Sequence, residues 1–296
     1  MCIIKEKGGA GMRILLTGGT GYLGQAVQRA LIFQGCDLTV LARYRRGLMP
    51  ESHFEPGDIR HVELDPLLAR TDAVVHLVGI IEENPQTGQT FDVMHYEVTQ
   101  RLVEAMVRHG VKRLIHMSAL GTRASAQSRY HRSKWKAEQF IHGMDVESII
   151  LRPSLLFGGG APFFVMIKNQ CRLPVVPIPG DGKALFQPVA RKDVAELIAK
   201  LVTADQYWGQ TWEIGGPKRF SLNGLYRHVA TTMGRHSLPL IHVPLGLMFS
   251  AARFGENLPK FPVSVDQLTM LNEPNVTDDT QWHQVIPEPS PLARDF

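Results

Sequence analysis

Residues 13–24 constrain the fold of this chain more than any other segment. An apolar run ends there in a turn that contains Gly18, Gly21 and Gly24, and an amphipathic, helix-like run follows. A strand, a glycine-rich turn and a helix in this order direct backbone N–H groups, and the positive end of the helix dipole, at an anion above the helix N-terminus. Gly18 permits the sharp turn, Gly21 lets the backbone approach a phosphate, and Gly24 lets the helix pack against the strand. Because both flanks fit, we interpret the segment as the diphosphate site of a dinucleotide rather than a tight turn of another α/β protein.

Composition limits the classes of protein to which the chain can belong. Its 296 residues suffice for one large α/β domain with a smaller lobe, and its net charge of +4 suits an anionic ligand without indicating nucleic acid. The three cysteines are widely spaced, as expected of reduced thiols in a cytoplasmic protein; association with the inner face of the membrane stays open. No apolar segment is long enough to span a bilayer, and no group of His, Cys, Asp or Glu has the spacing of metal ligands. We therefore expect neither a transmembrane segment nor a metal site.

The residue that follows the second predicted strand, at residues 37–42, indicates which dinucleotide is bound. An acidic residue at this place holds the ribose 2′-hydroxyl of NAD, but here the residue is Arg43. A guanidinium can pair with a 2′-phosphate and stack on the adenine, so we predict NADP(H) in preference to NAD(H), with Arg43 as the main contact. Arg45 and Arg46 extend this basic loop, which could also be a solvated surface, and RNA binding is disfavoured because no aromatic platform accompanies them. Asp58, at the third predicted strand, is a candidate acceptor for the adenine amino group.

Strand-like and helix-like segments alternate through the first half of the chain. Residues 73–79 and 113–118 are apolar runs expected of buried parallel strands, and residues 91–109 have helical periodicity. This alternation predicts an α/β fold, with a Rossmann-type doubly wound parallel sheet and a smaller C-terminal α/β lobe. Asp193 and Glu196 predict a capping box at the start of a helix that returns to the sheet. The predicted division is a flexible leader (1–11), a dinucleotide-binding domain (12–157, to which 184–204 return) and the smaller lobe (158–183 and 205–296).

Tyr130 and Lys134 are candidate catalytic residues. They stand at positions i and i+4 of a segment with helical composition, and so project from one helix face. An ammonium group beside a phenol lowers the phenol's pKa, which lets the tyrosine exchange a proton with a substrate hydroxyl or carbonyl near neutral pH. The lysine can also donate hydrogen bonds to ribose hydroxyls. Such pairs also occur on exposed helix faces, but the glycine-rich turn and a buried strand that ends in Ser118 favour catalysis.

Motifs spread over most of the chain resemble those of the short-chain dehydrogenase/reductase superfamily, in its extended and atypical branches. They are Thr17-Gly18-Gly19-Thr20-Gly21-Tyr22-Leu23-Gly24, Gly57-Asp58-Ile59, His76-Leu77-Val78-Gly79, Tyr130-x-x-x-Lys134, Leu151-Arg152-Pro153-Ser154 with Phe157-Gly158, and Gln187-Pro188-Val189-x-x-x-Asp193-Val194-Ala195. The chain resembles in particular the atypical group that contains the NADPH-binding accessory subunit of respiratory complex I. That likeness is carried by His116-Met117-Ser118-Ala119-Leu120 and by the proline-rich apolar tail after Leu238.

The resemblance implies an activity and roles for individual residues. The activity is that of an oxidoreductase or epimerase-like enzyme with hydride exchange at the nicotinamide. Tyr22 and Leu23 would contact the diphosphate, Gly79 the nicotinamide ribose, and Pro153 would lie near the nicotinamide ring. The predicted cofactor-binding residues are Gly18, Thr20, Gly21, Tyr22, Leu23, Gly24, Arg43, Asp58, Ile59, Leu77, Val78, Gly79, Lys134 and Pro153, and the predicted catalytic residues are Tyr130, Lys134 and Ser118.

One departure from the family pattern concerns Ala119. In catalytically competent extended members, this strand ends in two adjacent hydroxyl residues, and the second of them orients the substrate; here the second is Ala119. Ser118 could replace it only if the strand end shifts by one residue. The missing hydroxyl removes a hydrogen bond that polarises the reacting carbonyl. The alternative function is therefore that of a non-catalytic, NADPH-bound structural or interaction protein.

The smaller lobe contains candidates for a substrate or partner site. Phe163, Phe164, Phe186 and Arg191 could line a cleft, and they fit a plain core equally well. Residues 238–249 are the most apolar stretch of this lobe and could dock a hydrophobic partner, a quinone-like tail or a membrane surface. Their polar face is not basic, which favours burial in the lobe's own core. An unknown small molecule or protein partner at the C-terminal lobe remains open.

Overall fold

A parallel sheet of seven strands forms the centre of the computed structural model, which describes residues 11–255 and 264–292. The strands of the protein, in chain order, are β1 (Arg13–Thr17), β2 (Asp37–Ala42), β3 (His53–Pro56), β4 (Ala73–His76), β5 (Arg113–Met117), β6 (Glu147–Pro153), β7 (Leu156–Phe157), β8 (Val176–Pro179), β9 (Leu185–Phe186), β10 (Val189–Ala190), β11 (Thr211–Ile214), β12 (Phe220–Ser221) and β13 (Leu240–Val243). The helices are α1 (Tyr22–Phe33), α2 (Asp65–Leu68), α3 (Val98–Arg108), α4 (Arg129–His142), α5 (Pro162–Gln170), α6 (Arg191–Val202), α7 (Leu222–Thr232), α8 (Leu245–Gly255) and α9 (Val265–Asn272). A π-helical segment, Asp92–Glu97, runs directly into α3.

The order of the strands confirms the predicted doubly wound α/β fold. The order is β11-β6-β5-β4-β1-β2-β3, and all neighbours are parallel. The strand order reverses between β1 and β4, and ligands of such folds bind beyond the carboxyl ends of the strands at this point. Thr17 of β1 is in register with Leu41 of β2 and with His76 of β4. The turns that follow these three strands therefore open at the same level of the sheet.

Both faces of the sheet are covered by helices, which explains why the central strands are largely buried and apolar. Ile14 and Leu16 of β1 face one side, where they share a core with Val27 of α1 and Ile198 of α6. Leu15 faces the other side, in a core that includes residues of α2 and α3. Because successive side chains of a strand point to opposite faces of the sheet, the short strand β1 contributes residues to both cores.

A third core belongs to the smaller lobe. It is built from α5, α7 and the parallel pair β8 and β13, around fully buried side chains that include Phe164 and Phe186. These two rings are therefore core residues and not part of a cleft wall. Tyr22, the first residue of α1, packs against the edge of this core. The lobe consequently touches the beginning of the helix that follows the glycine-rich turn.

The division of the chain differs from the prediction after residue 205. β11 extends the main sheet beside β6, and Trp282 is fully buried in the main core, although 205–296 were assigned to the smaller lobe. A strand of four residues carries too short a pattern to show which sheet it joins. The predicted leader, residues 1–11, lies outside the described residues apart from residue 11.

Two local predictions are wrong. The predicted capping box at Asp193 is absent, because α6 begins at Arg191 and the Asp193 carboxylate accepts hydrogen bonds from the N–H and hydroxyl of Ser290 at 2.6 and 2.8 Å. Burial of the apolar stretch 238–249 holds only in part, since Ile241 and Leu247 are exposed. Among residues 11–255 and 264–292, no helix combines the length and apolar character needed to cross a membrane.

The glycine-rich turn generates a test of the fold. A Cβ on Gly24 would lie 2.3 Å from the carbonyl oxygen of Gly18, so we expect Gly24→Ala to lower the free energy of unfolding by about 1–3 kcal/mol. Gly246 in α8 is the matched control, because a Cβ there meets no atom within 4 Å, and Gly246→Ala should leave stability unchanged or slightly raised. Urea denaturation of the two variants measures this difference. Equal free energies of unfolding for the two variants would contradict this packing, because they would mean that the turn can accommodate a Cβ at residue 24.

Candidate active site

The carboxyl edge of the sheet brings together most of the residues that the sequence analysis selected. The glycine-rich turn follows β1, Arg43 follows β2, Gly79 lies shortly after β4, and Ser118 follows β5. Pro153, which is buried, is the last residue of β6. These positions surround the point between β1 and β4 where the strand order reverses, which is where ligands of doubly wound sheets bind.

The turn between β1 and α1 has the geometry of a phosphate cradle. Gly18 has φ +75°, and a Cβ on it would lie 2.8 Å from the backbone carbon of Leu77, so only glycine fits. α1 begins after Gly21 with no side-chain cap and no acidic residue in its first turn. Within the described residues, the N–H groups of Tyr22 and Leu23 donate no hydrogen bond to another backbone or side-chain group. Uncapped N–H groups above a turn that excludes side chains fit the diphosphate of a dinucleotide.

The predicted adenine contact, Asp58, has a partner inside the protein. Arg60 donates to both carboxylate oxygens of Asp58, from its backbone N–H and Nε to Oδ1 at 3.0 and 3.1 Å, and from Nη2 to Oδ2 at 2.7 Å. These bonds lower the pKa of Asp58 to about 2, and the charge of Arg43 adds to the lowering. Arg60 also donates to the carbonyl of Thr87 at 2.7 Å, which ties the loop after β4 to this corner. An adenine amino group would therefore share the Asp58 carboxylate with Arg60.

Arg43 itself is exposed at the edge of the site. Its guanidinium carbon lies 6.0 Å from the centroid of the Tyr44 ring, and no carboxylate within the described ranges forms an ion pair with it. The neighbouring Arg45 lies instead 5.0 Å from the ring of Phe54, against β3. Arg43 consequently has a charge that is free to meet a ligand, and Arg46, which is also exposed, shares this property within the described residues.

Lys134 is the buried charge of the site. It lies on α4, which Ser128 caps by accepting a hydrogen bond from the N–H of His131 at 3.2 Å. The Lys134 ammonium donates to the carbonyl of Met117, at the end of β5, at 2.9 Å. A Cβ on Gly79 would lie 3.1 Å from the same ammonium. Because Gly79 is exposed while Lys134 is only 3% exposed, the ammonium lies just beneath the surface at this point.

Burial sets the proton affinities of both candidate catalytic residues. It lowers the pKa of Lys134 to about 8, against the opposing charge of Glu138, and it raises the pKa of Tyr130 to about 12. The expected lowering of the Tyr130 pKa by Lys134 is therefore not found in this structure. The reason is that loss of hydration disfavours the phenolate, while the lysine directs its ammonium to Met117.

His95 is a residue of the site that the sequence analysis missed. The π-helical segment places its ring edge-on to Tyr130, with ring centroids 5.1 Å apart. Its Nδ1 lies 2.8 Å from Oγ of Ser133, and its Nε2 lies 3.1 Å from both the N–H nitrogen and the carbonyl oxygen of Ile80. His95 therefore connects α4, the helix that carries Tyr130 and Lys134, to the loop that carries Gly79. A π-helical turn changes the helical register locally, and the periodicity of the sequence does not reveal it.

Two further histidines form a neutral layer in the sheet beneath the site. His76 and His116 are in register on β4 and β5, fully buried, with ring centroids 5.4 Å apart. His76 lies 2.6 Å from the hydroxyl of Thr17 and 3.1 Å from that of Thr99. Burial, and then the charge of Lys134, lowers the pKa of His76 to about 3 and that of His116 well below its usual value. Neither histidine therefore adds a second charge below Lys134 at neutral pH.

The hydroxyl of Ser118 is engaged within the protein. Ser118 is buried, its N–H donates to Leu151 at 2.8 Å, and its Oγ donates to the hydroxyl of Thr122 at 3.3 Å. Ala119, the residue that departs from the family pattern, is half-buried beside it. Thr122 is a buried hydroxyl that the sequence analysis did not select, because no motif or periodicity marks it.

A buried ion pair between Glu138 and Arg152 lies near Lys134. Glu138, one helical turn further along α4, is fully buried and accepts a hydrogen bond from Nε of Arg152 at 3.0 Å. Arg152 also lies 3.7 Å from the carboxylate of Glu213 on β11. Because Arg152 precedes Pro153 on β6, this pair fixes the position of the strand end at which Pro153 lies.

The buried charge of Lys134 generates a test by stability. Its pKa is near 8 in the folded protein against 10.5 when solvated, so between these values the unfolded chain binds more protons and stability rises with pH. We expect the wild type to gain about 2 kcal/mol relative to Lys134→Met between pH 7 and pH 9.5. The difference between the two proteins, from urea denaturation at each pH, isolates this one group. A difference that does not change with pH would contradict a buried, partly deprotonated lysine.

Comparisons with known proteins agree with this geometry. A mitochondrial protein of Arabidopsis thaliana named NADH dehydrogenase (ubiquinone) 1 alpha subcomplex subunit 9 is 27% identical over 92% of this chain and 71% of its own length. The ceramide reductase of Caulobacter vibrioides is 29% identical over 64% of the chain and 59% of its own length. The structure of MoeE5 in complex with UDP-glucuronic acid and NAD superimposes with a TM-score of 0.72 at 19% identity, over 96% of this chain and 95% of that one, which shows a shared fold.

The family follows from a family model that matches more than half of the chain. The model of the NAD dependent epimerase/dehydratase family matches residues 14–215, which extend from β1 to the residue after β11 and include the glycine-rich turn, Tyr130 and Lys134. The chain belongs to the NAD dependent epimerase/dehydratase family.

Proposed function

We propose that the protein is an NADP(H)-binding atypical short-chain dehydrogenase/reductase, an oxidoreductase or epimerase-like enzyme in which Tyr130 and Lys134 carry proton transfer. The observation that supports this most is the position of the Lys134 ammonium, buried at the end of β5 directly beneath Gly79. Tyr130 precedes it by one helical turn at the same edge of the sheet as the glycine-rich turn. A buried charge costs stability, and its position beside the mouth of a ligand site fits a functional role.

On this proposal a nicotinamide dinucleotide would lie across the carboxyl edge of the sheet. The diphosphate would meet the uncapped N–H groups of α1, the 2′-phosphate would meet Arg43, and the nicotinamide ribose would meet Lys134 beside Gly79. The residues assigned to hold the cofactor are Gly18, Thr20, Gly21, Tyr22, Leu23, Gly24, Arg43, Asp58, Ile59, Leu77, Val78, Gly79, Lys134 and Pro153. When bound, the nicotinamide would supply or accept the hydride.

Tyr130 starts the reaction in its protonated form in the reducing direction. Burial holds its pKa near 12, so the phenol can donate its proton to the oxygen of a substrate carbonyl as that oxygen gains negative charge. To stabilise the phenolate that remains, the Lys134 ammonium, which keeps its charge below a pH of about 8, would leave the carbonyl of Met117 and turn towards Tyr130. In the oxidising direction the same groups return the proton from a substrate hydroxyl to Tyr130. We therefore assign Tyr130 as the proton donor and acceptor and Lys134 as the group that stabilises its anion.

A second candidate function is supported by the surroundings of Ser118. Its hydroxyl donates to Thr122, and the following residue is Ala119, so the usual pair of substrate-orienting hydroxyls is incomplete. The plant relative is named as a subunit of NADH dehydrogenase. On this alternative the protein is non-catalytic, bound NADPH stabilises the fold, and the C-terminal lobe contacts a protein partner.

Tyr130→Phe separates the two functions. The variant keeps the ring that packs beside His95 and loses only the hydroxyl, so we expect the dissociation constant for NADPH to stay within about twofold. Turnover, followed as loss of the absorbance of reduced nicotinamide with a panel of ketones and sugar nucleotides, should fall by about a hundredfold or more. Turnover by the variant at the wild-type rate would exclude Tyr130 as the proton donor. Tight NADPH binding with no turnover by the wild type on any of the panel would favour the non-catalytic alternative.

Arg43→Gln tests the preference for NADP(H). Loss of a charge-assisted contact to the 2′-phosphate should raise the dissociation constant for NADPH by about tenfold to a hundredfold, and that for NADH much less, because NADH loses only the stacking on the adenine. Arg45→Gln, in the same loop, is the control, because Arg45 packs on Phe54. Fluorescence titration of both variants with both cofactors gives the four constants. If Arg45→Gln loses affinity for NADPH and Arg43→Gln keeps it, the contact with the 2′-phosphate is made by Arg45 and not by Arg43.

A further inference from the structure

Arg191 lies against the first residue of the helix that follows the glycine-rich turn. It begins α6, which packs along α1. Its guanidinium carbon lies 4.4 Å from the centroid of the Tyr22 ring, and its Nη1 donates a hydrogen bond to the carbonyl of Tyr22 at 3.1 Å. The side chain therefore spans from the returning helix to the place where the diphosphate cradle begins.

The loop after β7 encloses the same guanidinium. A Cβ on Gly159, where φ is +43°, would lie 3.2 Å from Nη2 of Arg191, so glycine leaves the space that the guanidinium occupies. The hydroxyl of Tyr22 donates to the carbonyl of Gly158 in this loop. Tyr22 thus holds Arg191 with its ring and its carbonyl, and holds the loop with its hydroxyl.

The charge of Arg191 is not neutralised by an ion pair inside the described part of the chain. Every ion pair recorded there involves another cation, and the first turn of α1 contributes no carboxylate. A guanidinium has five N–H donors, of which the Tyr22 carbonyl engages one. A cation at the first position of a helix is also disfavoured by that helix's own dipole, so α6 gains nothing from it.

We propose that Arg191 is a cofactor-binding residue, whose remaining N–H groups bind the diphosphate of the dinucleotide while Tyr22 holds the guanidinium in place. This assignment rests on the proposed function, because it takes the turn between β1 and α1 as the dinucleotide cradle. A planar guanidinium can engage two phosphate oxygens at once, which a backbone N–H cannot. The returning helix α6 thereby supplies a positive charge that the glycine-rich turn, with no basic side chain of its own, lacks.

Calorimetric titration with NADPH and NADH tests this assignment without measuring turnover. Both cofactors carry the diphosphate, so Arg191→Gln should raise both dissociation constants by the same factor, about tenfold or more. Arg191→Lys, which keeps the charge and loses the fork, should give a smaller loss of the same kind. This pattern differs from that of a 2′-phosphate contact, which affects NADPH alone.

Matched variants separate the roles within this cluster. Lys192→Gln, at the exposed next residue, should bind both cofactors as the wild type does. Tyr22→Phe keeps the ring beneath the guanidinium and should change both constants by less than about threefold, whereas Tyr22→Ala removes it and should weaken both cofactors as Arg191→Gln does. Melting temperatures of the cofactor-free variants identify any variant that does not fold, and Arg191→Lys then carries the test.

The outcomes distinguish this inference from the proposed function. If the wild type binds NADPH, and Arg191→Gln and Arg191→Lys bind both cofactors as tightly as the wild type does, the role of Arg191 is overturned and the proposed function stays intact. A loss confined to NADPH would also overturn it, by making Arg191 a 2′-phosphate contact. Wild-type protein that binds neither cofactor would remove the proposed function, and this assignment with it.

Discussion

The rest of the site depends on the close backbone packing of the turn between β1 and α1. Gly18 approaches the backbone that follows β4, and Gly24 approaches the carbonyl of Gly18, at distances that leave no room for a Cβ. Both contacts join backbone to backbone, so no side-chain adjustment can relieve a substitution. This close packing sets the start of α1 at the point where the strand order reverses and keeps its N–H groups free for an anion.

Electrostatics divides the site into two ends. At one end, Arg43 is exposed and Asp58 is held by Arg60, whereas at the other end the Lys134 ammonium is buried above the neutral histidines His76 and His116. The buried charge of Lys134 disfavours folding at neutral pH, and the nearby Glu138 offsets only part of that cost. The protein is thus less stable because of Lys134, at the place where the proposed chemistry needs a cation beside the phenol of Tyr130.

The sequence could predict the sheet and the glycine-rich turn because their signals are local. Apolar parallel strands, glycines at fixed spacing and the pair Tyr130 and Lys134 are visible in short windows. Contacts between distant segments are not visible in this way: the engagement of Asp58 by Arg60, and the contact of Arg191 with Tyr22 across 169 residues, depend on the folded register. His95 was missed for a different reason: a π-helical turn breaks the 3.6-residue period by which helical faces are recognised.

The central claim is that the cradle between β1 and α1 holds the diphosphate of a nicotinamide dinucleotide. A crystal structure of the protein grown with saturating NADPH tests it most directly. The account predicts density for the diphosphate within hydrogen-bonding distance of the N–H groups of Tyr22 and Leu23, with the nicotinamide ribose beside Lys134. NADPH bound elsewhere on the chain, or well-ordered crystals in which the cradle contains only solvent, would contradict it.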